Sequence, residues 1–251
     1  MVKRGERLFY LKASLVVYTA WILVFECVGH YAATLPTRDV TLGLDRAIPF
    51  VAAFIWPYEL CYIFPFLPLL ALKDWHRFNR AILAFLLANV TAYAVYILYP
   101  IAFPRPELGT SLSDMVLALE YKVDFYPGAN KLPSLHVAFA WIVFLACRKQ
   151  RLGRAGDAAV FLTALLISAA TLFVKQHIIL DVVAGMAWGF AAWAVAGRAY
   201  PLFADPAGEP RREFLRMVRK AGPAAALLVA LTLLIADLHY GRILPWTAWL
   251  P

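Results

Sequence analysis

An all-α polytopic membrane protein of six to seven transmembrane helices is what this sequence predicts, on three observations. Of its 251 residues 63% are hydrophobic and only 16% are charged, too apolar for a water-soluble domain. The apolar residues gather in runs close to the ~20 residues that cross a bilayer's hydrocarbon. Lysine and arginine are concentrated in short stretches between those runs, the pattern that membrane topology imposes.

Seven runs follow one another, at 9–34, 49–72, 81–102, 134–147, 155–174, 178–197 and 221–238. No linker and no internal repeat divides them, so residues 1–251 read as a single membrane-embedded domain. The first run is long enough to span and is followed by no small-residue cleavage site, so it reads as a helix and not as a leader. Pro57, Pro65 and Pro68 bend the second, since proline removes a donor and crowds the preceding turn. The fourth holds only about 14 strongly apolar residues, roughly 21 Å at 1.5 Å per residue, against ~30 Å of hydrocarbon. Its first turn therefore lies at headgroup depth. Between the third and fourth runs, Ser111 to Asp114 resembles a capping box. Leu112, Met115, Val116, Leu119 and Val123 recur behind it at helical spacing. A short amphipathic helix in the interface is expected there, flanking a lateral entrance for lipid.

Charge sets the orientation. Lys3, Arg4 and Arg7 precede the first span, and Lys73, Arg77 and Arg80 follow the second. Arg148, Lys149, Arg151 and Arg154 follow the fourth, and Arg211, Arg212, Arg216, Arg219 and Lys220 precede the seventh. On the opposite side Arg38 and Arg46 are balanced by Asp39 and Asp45. The positive-inside rule then places the amino terminus in the cytoplasm and the carboxy terminus outside, where Trp246 and Trp249 fit an interfacial anchor. The compact, Ala- and Arg-rich chain suits a bacterial inner membrane. A net charge of +8 raises nucleic acid as a partner, but its clustering between apolar runs excludes that reading. Cys27, Cys61 and Cys147 are scattered through apolar runs, with neither metal-ligand nor disulfide spacing.

Two short stretches carry groups that a membrane span does not need. They are Pro133-Ser134-Leu135-His136 and Lys175-Gln176-His177-Ile178-Ile179-Leu180-Asp181. Ionisable groups at membrane depth are costly, so they are candidates for function. Ser134 is placed to cap the fourth helix, with His136 in its first turn, where free N–H groups and the helix dipole favour an anion. His177 and Asp181 are four apart, so on a helix the carboxylate orients the imidazole. Arg105, Lys131 and Lys175 fall on the same outer side. Fixed cations beside a helix start suit a phosphoryl group, whose charge positioned donors stabilise without a metal. One histidine attacks phosphorus and the other protonates the leaving oxygen.

The chain here resembles the type 2 phosphatidic acid phosphatase superfamily over roughly residues 100 to 190. The pattern there is Lys-x6-Arg-Pro, then Pro-Ser-Gly-His, then Ser-Arg-x5-His-x3-Asp. Arg105-Pro106, Pro133-Ser134-x-His136 and His177-x3-Asp181 match, while Leu98, Leu135 and Ala170-Thr171 depart from it. The resemblance implies that His177 is the nucleophile forming a phosphohistidine, Asp181 its orienting partner and His136 the general acid and then base. Arg105 and Ser134 become phosphate ligands, Lys175 is expected to replace the lost arginine with help from Lys131, and helices four to six form the catalytic core. No metal and no other cofactor is implied; the partners are a lipid phosphate and the surrounding lipids. The altered motifs are similar to the branch of inositol phosphorylceramide synthase, which implies a second reaction: transfer to an alcohol in place of hydrolysis. A transporter using His177 and Asp181 as a proton relay is a lesser alternative.

The remaining ionisable residues read as architecture. Asp124 and Asn130 shape the outer loop; Glu26, Glu59 and Asp237 are further carboxylates in apolar spans, and Glu59 beside Tyr58 either lines the lipid cavity or makes a structural hydrogen bond. His30, His76 and His239 sit at span ends without a motif.

Overall fold

A computed structural model describes residues 4–124 and 128–240; the Trp246 and Trp249 anchor expected from the sequence lies outside the described residues. Ten α-helices follow in order: α1 (Arg4–Ala33), α2 (Gly43–Ala47), α3 (Ile55–Ile63), α4 (Pro68–Ala71), α5 (Trp75–Leu98), α6 (Leu112–Val123), α7 (Leu135–Cys147), α8 (Gly153–Phe173), α9 (Ile179–Ala199) and α10 (Pro210–His239). Between α1 and α4, short 3-10 turns at Ala52–Phe54 and Phe64–Phe66 complete the helical stretch. β-structure among the described residues amounts to two isolated bridges, Arg38 to Ile101 and Ile101 to Asn130.

Among the described residues, five helices are long and apolar enough to cross a membrane: α1, α5, α8, α9 and α10. The protein is an all-α polytopic membrane protein. Two further passes are shorter. α7 has 13 residues, and the 49–72 stretch is not one helix but α3, a 3-10 turn and α4, broken where Pro65 and Pro68 start new turns.

The ends of these passes meet in two layers. In one, Val51 N–H donates to the Phe173 carbonyl at 3.0 Å, Ile101 N–H to Ala129 at 3.2 Å, and Tyr240 hydroxyl to Leu98 at 3.4 Å. In the other, Arg151 N–H donates to Ala71 at 3.2 Å and Asn79 Nδ2 to the Pro210 carbonyl at 2.8 Å. The chain therefore runs between the layers seven times, and both histidine motifs open passes at the first layer. The second layer holds the clusters of basic residues. There Arg77 donates to the Ala146 and Leu145 carbonyls at 2.6 and 2.8 Å, closing the carboxy end of α7, where cations suit the helix dipole.

α7 is the centre of the bundle. Eleven of its residues are buried, and α5, α8, α9 and the broken pass surround it. A helix apolar on every face belongs in such a position, which is why its sequence shows no polar stripe. α9 comes closest. A Cβ on Gly185 would lie 2.4 Å from the Ser134 carbonyl, so only glycine lets the α9 backbone reach the start of α7. Ser134 N–H then donates to the Asp181 carbonyl at 3.1 Å, and the two motif starts are locked side by side.

Candidate active site

Each histidine is placed by its local backbone. Ser134 caps α7, its Oγ accepting from Val137 N–H at 3.4 Å, and Tyr96 holds the turn by donating to the Pro133 carbonyl at 2.7 Å. His136 thus sits in the first turn of α7. At α9, Asp181 Oδ2 accepts from Ile178 N–H and from the His177 ring, both at 3.2 Å. The carboxylate caps the helix and orients the imidazole with the same oxygen.

The two rings face one another. His136 Nδ1 lies 3.3 Å from His177 Nε2, with ring centroids 5.6 Å apart. A carboxylate only accepts, so His177 carries its hydrogen on Nδ1 and presents the Nε2 lone pair. That lone pair takes the hydrogen on His136 Nδ1. His177 is 4% exposed and Asp181 fully buried; Asp181 Oδ1 has no partner among the described residues.

Three of the four remaining sequence candidates lie around this pair, with a difference. Arg105 donates to Asp124 Oδ2 at 2.6 Å and to the Tyr121 carbonyl at 2.6 Å. Lys131 donates to the same Asp124 oxygen at 2.5 Å and to Gln176 Oε1 at 2.9 Å. Asp124, read from the sequence as loop architecture, is therefore the anion that both cations hold. Burial depresses the Lys131 pKa and Asp124 pulls it back up. Gly128 makes this knot possible: its φ is +70° and a Cβ would stand 2.7 Å from an Arg105 nitrogen. Ser134 is fully buried beside the pair.

Lys175 departs from its expected place. Its Nζ donates to the main-chain carbonyls of Asp45 and Ile48 at 2.9 and 2.6 Å, while Asp45 Oδ1 accepts from Ile179 N–H at 2.7 Å. The reason is local. Lys175 has a φ of +54°, and the turn before His177 throws its side chain toward α2. It ties the outer loop to the start of α9 in place of standing in for an arginine at the histidines.

An open cleft of about 570 Å³ adjoins His177, with Arg105, Lys175, Arg46, Phe50 and Phe103 among its lining residues. Arg46 was counted from the sequence only in the charge balance of its loop. Among the described residues no group of three or more His, Cys, Asp or Glu side chains could hold a metal ion.

A family model described as the PAP2 superfamily matches residues 20–195, more than half of the chain and all of the motif region. The chain belongs to the PAP2 superfamily. No curated protein and no solved structure matches it. The matched stretch begins within α1 and ends within α9, so α10 falls outside it.

Three further residues of this PAP2 protein touch the site without any motif announcing them. Tyr58 hydroxyl lies 3.3 Å from His136 Nε2 and 2.9 Å from Glu120 Oε1. Tyr62 hydroxyl donates to the same Glu120 oxygen at 2.5 Å. Burial raises the Glu120 pKa, against the pull of the two tyrosine hydroxyls. The only hint in the sequence is the i, i+4 spacing of Tyr58 and Tyr62, which shares a helix face. Glu120 comes from another element, and nothing in one dimension joins it to them.

Proposed function

We propose that this PAP2 protein is a metal-independent phosphoesterase that removes phosphate from a lipid phosphate or diphosphate through a phosphohistidine on His177. The observation that carries the reading is the 3.3 Å approach of His136 Nδ1 to His177 Nε2, with Asp181 behind the latter. At 3.3 Å the rings leave no room for phosphorus between them, so substrate displaces that hydrogen bond. His177 Nε2 then forms a bond to phosphorus as the bond to the lipid oxygen breaks, and that oxygen takes the hydrogen from His136 Nδ1. In the second half water gives a proton back to His136 Nδ1, its oxygen bonds to phosphorus, and the N–P bond breaks. Arg105, Lys131 and Ser134 are the phosphate ligands; the phosphate competes with Asp124 for the two cations. Lys175 acts at one remove, by holding the cleft wall.

Transfer to an alcohol, as in the inositol phosphorylceramide synthase-like branch, draws its support from the cleft beside His177, which offers space for an acceptor and has polar side chains among its mixed lining. The positive-inside distribution supports a cytoplasmic amino terminus, with the histidines facing the periplasm. α6 supports lipid access: Leu112, Met115, Leu119 and Val123 are all exposed on it, an apolar face ready for acyl chains.

Purified protein in detergent, given a panel of lipid phosphates and diphosphates labelled in the phosphate, tests the reading. Free labelled phosphate, and an acid-labile label on wild-type protein that is lost in His177→Asn, are expected. No label on the protein and no release from any lipid would overturn it, and label found only on an added alcohol would decide for transfer.

A further inference from the structure

Asp181 orients His177, but His136 also has a second ring nitrogen, and the proposed steps leave it unused. That nitrogen, Nε2, faces the Tyr58 hydroxyl at 3.3 Å, and Tyr58 faces Glu120 Oε1 at 2.9 Å. Tyr58 is fully buried. A hydroxyl has one hydrogen, so Tyr58 cannot donate to both neighbours at once. One of the two must donate to it.

We propose that Glu120, acting through Tyr58, is the positioning and charging partner of His136, as Asp181 is the partner of His177. The proposal rests on the phosphohistidine reading above.

The chain has two proton arrangements with the same number of hydrogens. In one, the Glu120 carboxylic acid donates to Tyr58 oxygen, and the Tyr58 hydroxyl donates to a neutral His136 at Nε2. In the other, one proton has moved along each of the two bonds. Glu120 is then a carboxylate accepting from Tyr58, and His136 is an imidazolium donating from Nε2. Tyr62, which donates to the same Glu120 oxygen, favours the carboxylate and so the second. Burial outweighs that pull and raises the Glu120 pKa, which favours the first arrangement while no anion lies beside His136. A phosphate anion arriving beside His136 favours the second, because opposite charges attract strongly in a poorly hydrated site. The imidazolium then delivers its Nδ1 hydrogen to the leaving oxygen and keeps Nε2–H on Tyr58. The cation appears when the substrate does.

Other charged or titratable groups face the relay. Lys131 and His177 bear on His136, Asp124 and Lys131 on Glu120, and Glu59 and Glu26 lie within reach of Glu120 from α3 and α1. Asp124 is already matched by Arg105 and Lys131. Tyr58 is the group that joins a carboxylate to the free nitrogen of His136 by hydrogen bonds.

The pH profile of kcat/KM tests the relay, measured on full-length protein in detergent with whichever labelled lipid phosphate the wild type turns over. His136 acts first as an acid, so activity falls as pH rises through its pKa. Removing the carboxylate or the bridge lowers that pKa. Glu120→Gln and Tyr58→Phe are therefore expected to move the alkaline limb down by about one unit and to cost about tenfold to a hundredfold at neutral pH. Lower pH should restore part of that loss. Trp56→Phe is the control: Trp56 Nε1 donates to Ser113 Oγ at 3.1 Å, tying α3 to α6 without touching His136, and its limb should stay in place. A profile that is merely scaled down in Glu120→Gln, or moved equally by Trp56→Phe, overturns the relay. If Tyr58→Phe fails to fold, Glu120→Gln decides alone. Wild-type protein that forms no phosphohistidine overturns the underlying reading instead.

Discussion

The two layers of the bundle each hold a histidine paired with a carboxylate, with a tyrosine alongside, and the contrast between them separates a site from a strut. In the layer with the basic clusters, His76 Nδ1 meets Glu213 Oε2 at 2.7 Å. Tyr200 donates to the same oxygen, and Asn79 donates to Tyr200 at 3.1 Å. Asp205 N–H fills the second Glu213 oxygen at 3.0 Å. One imidazole, every oxygen of its carboxylate occupied, ties α5 to α10 and goes no further. At the histidine layer two imidazoles spend their bonds on each other, Asp181 keeps a buried oxygen without a partner among the described residues, and cations and an open cleft lie alongside. An imidazole–carboxylate pair is thus not itself a site. A lone pair aimed at a place that a ligand can occupy is.

The sharpest way to break this contrast is to remove one histidine from each layer. His177→Asn should abolish turnover and labelling while leaving a folded protein, and His136→Asn should cost about 10²–10⁴-fold as a lost general acid. His76→Asn should keep the turnover of each folded molecule. Equal losses from all three would erase the distinction. Next is the phosphate clamp. Arg105→Ala removes a charge-assisted donor worth about 1.5–3 kcal/mol, which should raise KM about tenfold to a hundredfold with kcat less affected. Glu213→Gln, in the strut, should instead lower stability by about 1–3 kcal/mol by leaving buried donors unmatched, read as a lower melting temperature at unchanged kcat. Lys175→Ala should have a smaller effect than Arg105→Ala on KM, because its ammonium holds main-chain carbonyls; a loss as large as that of Arg105→Ala would restore it to the phosphate. Incubation with EDTA should change neither layer's function, and strong inhibition would contradict a clamp made of side-chain cations.

The legible parts of the molecule were the local ones. Ser111 and Ser134 were readable as caps because an N-cap bond closes within three residues. His177 and Asp181 were readable as a pair because four residues make one helical turn. The prolines marked the broken pass because their effect on the helix is also local. Where the reading slipped, the cause was distance along the chain. Lys175 was assigned to phosphate from its place two residues before His177, but a left-handed residue turned it toward Asp45, 130 positions away. Asp124, read as loop architecture, does tie the outer loop together, but that its partners are Arg105 and Lys131 depends on how the loop folds back at Gly128.

What the sequence settles alone is the class and the inventory: apolar runs long enough to cross a bilayer, a superfamily's paired histidine motifs, and the helix caps that start them. Tertiary packing decides the rest. The approach of the two rings comes from the glycine contact between α7 and α9, and the Tyr58–Glu120 connection to His136 from the packing of α3, α6 and α7 together. A hydrogen bond between groups 62 or 78 residues apart leaves no trace in spacing or periodicity, because it is fixed by how helices pack and not by the turn of any one of them.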